Sequence, residues 1–463
     1  MKKLLVVSCA ALGVAEARRA GLERNFGPIL EVEPIFPALT VPAQAALLTG
    51  LPPAETGAVG NGFFHRELRR VFFWEQSAEL LAGERPWERL ERESGCAASS
   101  ALLFFQNSLG ANADVVVTPA PIHAPDGRTI PACYTQPGAL GQMLEGALGP
   151  FPLQHYWGPA AGLAASQWIA AAAAMVLGSS VPDFSQPADG SAAAGPFVDL
   201  PVGISGIQKI CRGGSPDLAY VYLPHLDYDL QRFGPDSPQA AKALQELGAI
   251  LSRLAEAAES AGYALVIAGD YAMERAGQVV LPNRALRAAG LLAVRRVGAF
   301  ELLDLGASRA FAVVDHQIAH VYCQNGAGPE DAAEALAGLA GIGRMLDRAA
   351  QAELGLAHPR SGDLVLEAVP GCWCAYDWWL DESAAPPYAR TVDIHNKPGY
   401  DPLELFFAPD QRGTARDANL VKGTHGRSGG APAALVLPEG AEAPAGRLKA
   451  TELAGLLARL AAE

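Results

Sequence analysis

The sequence has few cysteines for its length and no spacing that would pair them. The chain of 463 residues contains seven cysteines, an odd number without the regular pattern of a disulfide framework. Cys372 and Cys374 are separated by one residue, which places both on one face of a strand and favours two packing positions over a zinc site. We therefore expect reduced thiols and a cytoplasmic protein.

Clusters of basic residues and long apolar segments are also missing. The formal net charge is −14, and no block of Lys and Arg offers the basic face that a nucleic-acid groove requires. No run approaches the ~20 apolar residues of a membrane span. Only five residues separate Lys3 from Cys9, fewer than the ~7–15-residue apolar region of a secretory signal. We expect a small anionic substrate instead. The sequence also permits a homodimer.

What is present is an ample apolar fraction, arranged in short strands that alternate with helices. Hydrophobic residues make up 50% of the chain, enough for a substantial core. Four short apolar segments predict buried strands at 4–8, 114–118, 218–223 and 264–268. Leucines at helical spacing predict a helix over 238–260. This alternation predicts an α/β fold with a mostly parallel central sheet and helices on both faces, in which functional residues gather at the carboxyl ends of strands.

The pattern changes after about residue 282. Shorter helices and strands alternate from 283 to 391, and the end of this segment is rich in tryptophan and tyrosine. This pattern predicts a small α+β cap inserted into a larger domain. The larger domain would consist of residues 1–282 and 392–463. The aromatic residues favour packing between cap and core over stacking on a ligand.

A threonine flanked by prolines stands out near the N-terminus. Thr40 lies between Pro37 and Pro42, just before the small-residue segment 43–48 that indicates the start of a helix. The first turn of a helix directs backbone amides and the positive end of the dipole at anionic groups. Thr40 is therefore the candidate nucleophile.

The order of residues around Thr40 resembles the type I phosphodiesterase/nucleotide pyrophosphatase family of the alkaline phosphatase superfamily. The segment 36–42 matches a Phe-Pro-x-x-Thr-x-Pro motif. It is followed, in the order of the family, by a Thr-Gly-x-x-Pro turn at 49–53 and by a loop at 57–62 that contains Gly and Asn. The resemblance covers about residues 1–440. It implies an alkaline-phosphatase-like core and a metal-dependent hydrolase of phosphodiester or phosphate-ester substrates, including nucleotides. It also implies one or two divalent ions, with zinc as the expected metal.

The metal ligands that the resemblance implies are only partly present. Asp227, Asp270 and His425 match acidic and imidazole positions of the family motifs, whereas Gln231 and Tyr271 occupy positions where the family has histidine. An amide oxygen is a poor zinc ligand. A standard site for two zinc ions therefore cannot be built from these positions alone.

The position after the first strand adds a third departure, because Ala10 and Ala11 replace an Asp-Gly pair of the family. Several residues could compensate. His225 lies close to Asp227, and either His225 or Gln231 would complete a metal site. Asn61, His395 and Lys397 are candidates for binding the substrate phosphate, and His65 and Arg66 are similar options.

The segment 315–320 leaves two interpretations open. His316 and His320 would share one face of a helix with the spacing of a zinc-binding pair, whereas on a strand edge they would be ordinary polar residues. The departures from the family motifs also keep a second function open, in which the protein binds a phosphorylated ligand without turnover.

Overall fold

The computed structural model describes residues 2–95, 97–126, 128–182, 184 and 214–462. In chain order the strands are β1 (Lys3–Cys9), β2 (Ile29–Glu33), β3 (Gly62–His65), β4 (Arg70–Phe73), β5 (Ser100–Leu103), β6 (Val115–Pro119), β7 (Ile122–His123), β8 (Thr129–Ile130), β9 (Cys133–Gln136), β10 (Leu218–Leu223), β11 (Tyr263–Gly269), β12 (Glu274–Arg275), β13 (Gln278–Val280), β14 (Val294–Val297), β15 (Phe300–Leu303), β16 (Ala310–Asp315), β17 (Ile318–Cys323), β18 (Ile342–Leu346), β19 (Leu364–Ala368), β20 (Cys372–Cys374), β21 (Gly423–Thr424), β22 (Ala433–Val436) and β23 (Leu448–Lys449). The α-helices are α1 (Val14–Arg19), α2 (Leu22–Phe26), α3 (Thr40–Thr49), α4 (Pro53–Thr56), α5 (Pro86–Ser94), α6 (Ala139–Leu148), α7 (Leu163–Leu177), α8 (His225–Phe233), α9 (Pro238–Ser260), α10 (Pro282–Ala288), α11 (Pro329–Leu336), α12 (Arg348–Glu353) and α13 (Leu453–Ala462).

A nine-stranded sheet forms the centre of the molecule. Its strand order is β23-β2-β22-β11-β1-β10-β5-β6-β9. The central strands β11, β1, β10, β5 and β6 are parallel, and β22 and β9 are antiparallel to their neighbours. The middle strand β1 is buried on both faces, as its apolar sequence requires. The predicted α/β fold with a mostly parallel sheet is confirmed.

Helix α9 shows how local sequence sets an element. The Ser237 hydroxyl accepts a hydrogen bond from the Ala240 amide at 3.0 Å, and Pro238 occupies the first turn. Leucines at positions 244, 247, 251 and 254 are buried along one face. The helix begins and ends where the periodicity predicts. None of the helices in the described part of the chain combines the length and apolar character of a bilayer span.

A second, smaller sheet lies in the segment predicted as a cap. Strands β16, β17, β19 and β18 form an antiparallel sheet in that order. An apolar cluster that includes Tyr322, Trp378 and Trp379 packs there. Phe64 and Phe73 of the β3–β4 hairpin join the same cluster, so the packing extends beyond residues 283–391. The cap boundaries therefore stay a prediction.

The segment 315–320 forms a β-hairpin, so its helical interpretation is wrong. His316 lies in the turn between β16 and β17 with φ of 56°, and His320 lies on β17. The two side chains contact different partners, because His316 packs against Tyr400 and His425. The His320 ring is held by structural contacts, because its Nε2 lies 3.0 Å from the Val59 carbonyl and its Nδ1 accepts from the Gly362 amide at 3.1 Å.

Candidate functional site

The candidate site forms where three neighbouring parallel strands end. In the β11-β1-β10 register, Cys9 lies opposite both Leu223 and Gly269. The loops that follow these strands therefore begin at the same level of the sheet, where ligands of open α/β sheets bind. The loop after β11 carries Asp270 and Tyr271, and helix α8 after β10 carries Asp227.

Thr40 is the first residue of α3 and is 4% exposed. Leu39 before it is extended, and the next residue, Val41, donates its amide hydrogen to Asn61 Oδ1 at 3.0 Å. Asn61 is itself fixed by Asp315, which accepts from the Asn61 amide at 2.8 Å and from Nδ2 at 3.1 Å. Asn61 therefore holds the start of the helix that presents Thr40.

A chain of polar contacts runs from Thr40 to Asp227 through a tyrosine. The Thr40 hydroxyl lies 3.3 Å from the Tyr271 hydroxyl. The Tyr271 hydroxyl in turn donates to Asp227 Oδ1 at 3.2 Å. All three side chains are buried. A proton can pass between the threonine hydroxyl and the carboxylate along this path without an intervening water.

Asp227 and His425 are fixed by further partners. Gln231 Nε2 donates to Asp227 Oδ2 at 2.5 Å, and Gln231 Oε1 accepts from the Tyr400 hydroxyl at 2.7 Å. His425 donates from Nδ1 to the Ala38 carbonyl at 2.7 Å and places Nε2 3.7 Å from Asp227 Oδ1. His425 Nε2 has no hydrogen-bond partner among the described residues.

Stacked rings connect these groups across the sheet and the cap. Tyr271 stacks on His425 with ring centroids 3.6 Å apart and planes 7° apart. His425 contacts His316 at 3.9 Å, and His316 stacks on Tyr400 at 3.7 Å. Together with the hydrogen bonds of Gln231 and Asp227, the contacts close a loop of six side chains. We call this the six-residue ring, and its members are Tyr271, Asp227, Gln231, Tyr400, His316 and His425.

Burial shifts the titration of the ring members toward their neutral forms. Burial raises the pKa of Asp227 to about 7, against the opposing effect of hydrogen bonds from Gln231 and Tyr271. Burial also lowers the pKa of His316 to about 3 and that of His425 well below its usual value, where nearby His316 contributes. Both imidazoles are therefore neutral, and Asp227 changes charge near neutral pH.

Asp270 lies beside the ring and belongs to the backbone turn after β11. Its Oδ1 accepts from the Ala11 amide at 2.9 Å and from the Tyr271 amide at 3.0 Å. Ala11 has φ of 56°, a left-handed conformation that glycine adopts more easily. Burial raises the pKa of Asp270 well above its usual value, and the nearby Asp227 carboxyl acts in the same direction.

The site opens into a cavity of about 440 Å³ with aromatic walls. Thr40, Asp227, Tyr271, His316 and Tyr400 are exposed to it. The aromatic and imidazole side chains around them are Trp74, His123, Tyr156, Trp157, Tyr222, Tyr228 and His395. No Lys or Arg is found among the lining residues of the described chain, whereas Glu75 and Asp227 are. The cavity therefore suits an organic group of low charge.

The structure brings together most of the predicted site residues. Thr40, Asp227 and His425 each contact Tyr271, Gln231 contacts Asp227, and Asp270 is the neighbour of Tyr271 in sequence. Asn61 accepts a hydrogen bond from the Val41 amide and so fixes the start of α3. His395 lies at the cavity rim and contacts the Phe73 carbonyl through Nδ1 at 3.0 Å.

Two predicted site residues point elsewhere. His225 is buried and is not among the described residues that line the cavity. Lys397 is buried, and its Nζ contacts Asp401 at 2.8 Å, Glu404 at 2.5 Å and the Thr391 carbonyl. These three partners use the three hydrogens of the ammonium group. We therefore leave His225 and Lys397 out of the proposed site.

Three side chains of the site were not predicted from the sequence. The sequence marks Tyr271 only as a replacement for histidine. Tyr400 is one of the His, Lys, Tyr and Asp residues that lie close together in segment 393–401, and His316 fits both interpretations of segment 315–320. The sequence could have pointed to Tyr271, because this tyrosine replaces an expected metal ligand directly after the retained Asp270.

The donor set does not fit the pair of ions that the family resemblance implies. Across the described residues no group of three or more His, Cys, Asp and Glu side chains could hold a metal ion. Tyr271 occupies the space between Thr40 and Asp227 with its hydroxyl. Gln231 directs its amide hydrogens, not its oxygen, at Asp227. His425 Nε2, His316 Nε2 and Asp270 Oδ2 are buried without hydrogen-bond partners among the described residues, but no three such side chains there converge as a zinc site requires.

A family model and several solved structures match this chain, the model showing a family and the structures a fold. The family model described as "Type I phosphodiesterase / nucleotide pyrophosphatase" matches residues 27–401. Phosphonoacetate hydrolase from Sinorhizobium meliloti 1021, in complex with phosphonoacetate, is similar in structure with a TM-score of 0.59 and 16% identity, over 99% of this chain and 96% of that chain. Murine ectonucleotide pyrophosphatase/phosphodiesterase 5 has a TM-score of 0.57 and 14% identity, over 100% and 95% of the two chains. The human form of the latter has a TM-score of 0.58 and 13% identity over the same shares. No curated protein matches this chain.

Proposed function

Because this chain belongs to the type I phosphodiesterase/nucleotide pyrophosphatase family, we propose that it is a phosphoester hydrolase that uses Thr40 as its nucleophile. The observation that carries the proposal is the contact of the buried Thr40 hydroxyl with Tyr271, which donates to Asp227. This arrangement gives the hydroxyl a path for its proton. Family membership supports the reaction type, and the path supports the choice of residue.

In the proposed mechanism Thr40 Oγ1 attacks phosphorus. The bond from phosphorus to the leaving oxygen breaks as the Thr40–phosphorus bond forms, and water protonates the leaving oxygen. The Thr40 proton moves to the Tyr271 oxygen while the Tyr271 proton moves to Asp227. The hydroxide left from water then cleaves the phospho-threonine, and the proton returns from Asp227 to Thr40 through Tyr271. A base whose pKa lies near 7 is suited to this exchange.

The cavity favours a phosphodiester over a phosphomonoester. A dianionic monoester would bring two charges into a cavity whose described lining offers no Lys or Arg, and an unpaired buried charge is strongly unfavourable. A diester carries one charge, and its organic groups can pack against Trp74, Trp157 and the tyrosines of the walls. The two ectonucleotide pyrophosphatase/phosphodiesterase structures and the phosphonoacetate hydrolase show that this fold occurs in proteins named for phosphorus chemistry.

The test compares bis(p-nitrophenyl) phosphate with p-nitrophenyl phosphate. We expect release of p-nitrophenolate from the diester, and weaker or no release from the monoester. Thr40→Ala should reduce turnover of the diester at least roughly 1,000-fold, as expected for loss of a nucleophile. Thr40→Ser should retain measurable turnover because it keeps the hydroxyl. Undiminished turnover in a folded Thr40→Ala variant would contradict the proposal.

A second candidate function is binding of a phosphorylated ligand without turnover. The lack of positive side chains in the described cavity lining favours it, since nothing there offsets the charge of a transition state. In this case the wild-type protein would bind the diester and release no p-nitrophenolate, and Thr40→Ala would bind it equally well. The cytoplasmic location and a homodimeric assembly stay predictions from the sequence.

A further inference from the structure

We infer that the six-residue ring takes the place of metal ions in this site, so that the site is assembled without zinc. The inference concerns the same site as the proposed function and deepens it. It would stand even if the site proved to bind a ligand without turnover, because it concerns what holds Asp227, His425 and Thr40 in place.

The first argument is that hydrogen bonds occupy the carboxylate that an ion would need. Asp227 accepts from Tyr271 on Oδ1 and from Gln231 on Oδ2, at 3.2 and 2.5 Å. Each of its oxygens therefore has a donor. An amide and a phenol offset the charge of a buried carboxylate, as required of any buried charge.

The second argument is that Gln231 is oriented by a residue of its own. Tyr400 donates to Gln231 Oε1 at 2.7 Å. Because the oxygen accepts this hydrogen bond, the amide nitrogen faces Asp227. A ligand to a cation would require the opposite orientation. Tyr400 is held in turn by its stacking on His316 at 3.7 Å.

The third argument is that ring stacking holds the imidazole that an ion would otherwise position. The His425 ring lies between Tyr271 and His316, with centroid separations of 3.6 and 3.9 Å, and donates from Nδ1 to the Ala38 carbonyl. Its orientation is therefore fixed from both faces and from one edge. No coordinate bond is needed to hold it.

The experiment measures metal content and zinc binding in the full chain. Protein purified without chelators is analysed for bound transition metals, and calorimetry then measures binding of zinc chloride. We expect no stoichiometric metal in the wild type. The double variant Gln231→His, Tyr271→His supplies two imidazoles beside Asp227 and His425, and we expect it to bind zinc at least roughly tenfold more tightly than the wild type.

The matched control adds Asp227→Asn to the double variant, which keeps both new histidines and removes the carboxylate. Zinc binding that disappears in this control lies in the intended site. A wild-type protein that carries one or more ions per chain, lost on Asp227→Asn, would overturn the inference. Failure of a folded double variant to gain zinc would also overturn it, because Tyr271 and Gln231 would then not be what excludes the ion.

These results separate the inference from the proposed function. Metal content and zinc affinity are measured without substrate, so they do not depend on turnover. A wild type that is free of metal and hydrolyses the diester supports both proposals. A wild type that is free of metal and inactive supports the inference alone, and a zinc-loaded active wild type supports only the hydrolase.

Discussion

At the scale of single residues, Tyr271 is the side chain on which the site depends most. It contacts Thr40 and Asp227 through one hydroxyl and His425 through the face of its ring. A histidine at this position could not reach both neighbours with one atom in the same way. The exchange of an expected ligand for tyrosine therefore changes how protons move in the site, and not only whether an ion binds.

Tyr271→Phe tests this role. The variant keeps the ring that stacks on His425 and removes the hydroxyl that links Thr40 to Asp227. We expect kcat for the diester to fall roughly 100-fold, as for loss of a proton-transfer group, with little change in KM. The hydroxyl also stabilises the ionised Asp227 by a hydrogen bond, so its loss should raise the pKa of Asp227 above about 7.

The measurement is the dependence of kcat on pH, which should rise with ionisation of Asp227 and move to higher pH in the variant. Tyr322→Phe serves as a control, because the Tyr322 hydroxyl donates to the Arg360 carbonyl in the cap and does not contact the site. A Tyr271→Phe enzyme with wild-type kcat and an unchanged pH profile would show that the proton takes another path.

At the scale of elements, strand β16 closely approaches the segment that carries Tyr400. Val314 of β16 pairs with Gly399, and the Tyr400 amide donates to the Val314 carbonyl at 2.9 Å. Gly399 has φ of 142°, and a Cβ atom at this position would lie 2.3 Å from the Val314 carbonyl oxygen. Only glycine permits the approach that places Tyr400 against Gln231.

Gly399→Ala should therefore separate the two segments. We expect the free energy of unfolding to fall by roughly 3 kcal/mol, because both the backbone conformation and the contact with Val314 become strained. Urea denaturation measures the change. Gly277→Ala is the matched control, since a Cβ atom there meets nothing within 4 Å. Equal stability of the two variants would mean that the close approach is easily relaxed.

The elements themselves were largely predictable, because their signals are local. Helix α9 follows from its leucines and its serine cap, and β1 from a short apolar run. Sequence motifs also identified Thr40, Asp227 and His425 as members of one site. What could not be predicted is which distant segments meet. Nothing near Tyr400 or His316 in sequence shows that the fold places Tyr400 beside Gln231 and His316 beside His425.

Lys397 is a predicted site residue whose actual partners could not be predicted from the local sequence. A lysine in a dense polar segment can face a ligand or pair with neighbouring carboxylates, and the local sequence is the same in both cases. The structure pairs it with Asp401 and Glu404 in the interior. Burial decides the outcome, because a buried ammonium group requires partners for its hydrogens, and burial is a property of the whole fold.

At the scale of the whole molecule, His320 connects strand β17 to the loop that follows α4. Its Nε2 donates to the Val59 carbonyl, and its Nδ1 accepts from the Gly362 amide. Both contacts require the neutral ring, since a protonated ring could not accept from Gly362. The ring is 1% exposed, and burial lowers its pKa from 6.5 to about 4.

This shift makes the stability of the molecule depend on pH with a definite sign. Because the folded-state pKa lies below that of the unfolded chain, the unfolded state takes up the proton first as the pH falls. The contribution of neutral His320 is therefore fully present above about pH 6.5 and is lost as the pH falls toward 4. Between about pH 7.5 and about pH 5 the loss amounts to about 2 kcal/mol.

His320→Gln removes the titrating group, so the variant should lose about 2 kcal/mol less stability than the wild type over this interval. Urea denaturation of both proteins at the two pH values measures the difference, and the other buried histidines cancel because both proteins contain them. The variant is expected to be less stable at neutral pH, since glutamine cannot reproduce both contacts. If the two proteins lose stability in parallel, His320 is not neutral in the folded protein in the way its burial implies, and its contacts with Val59 and Gly362 do not make the fold sensitive to acid.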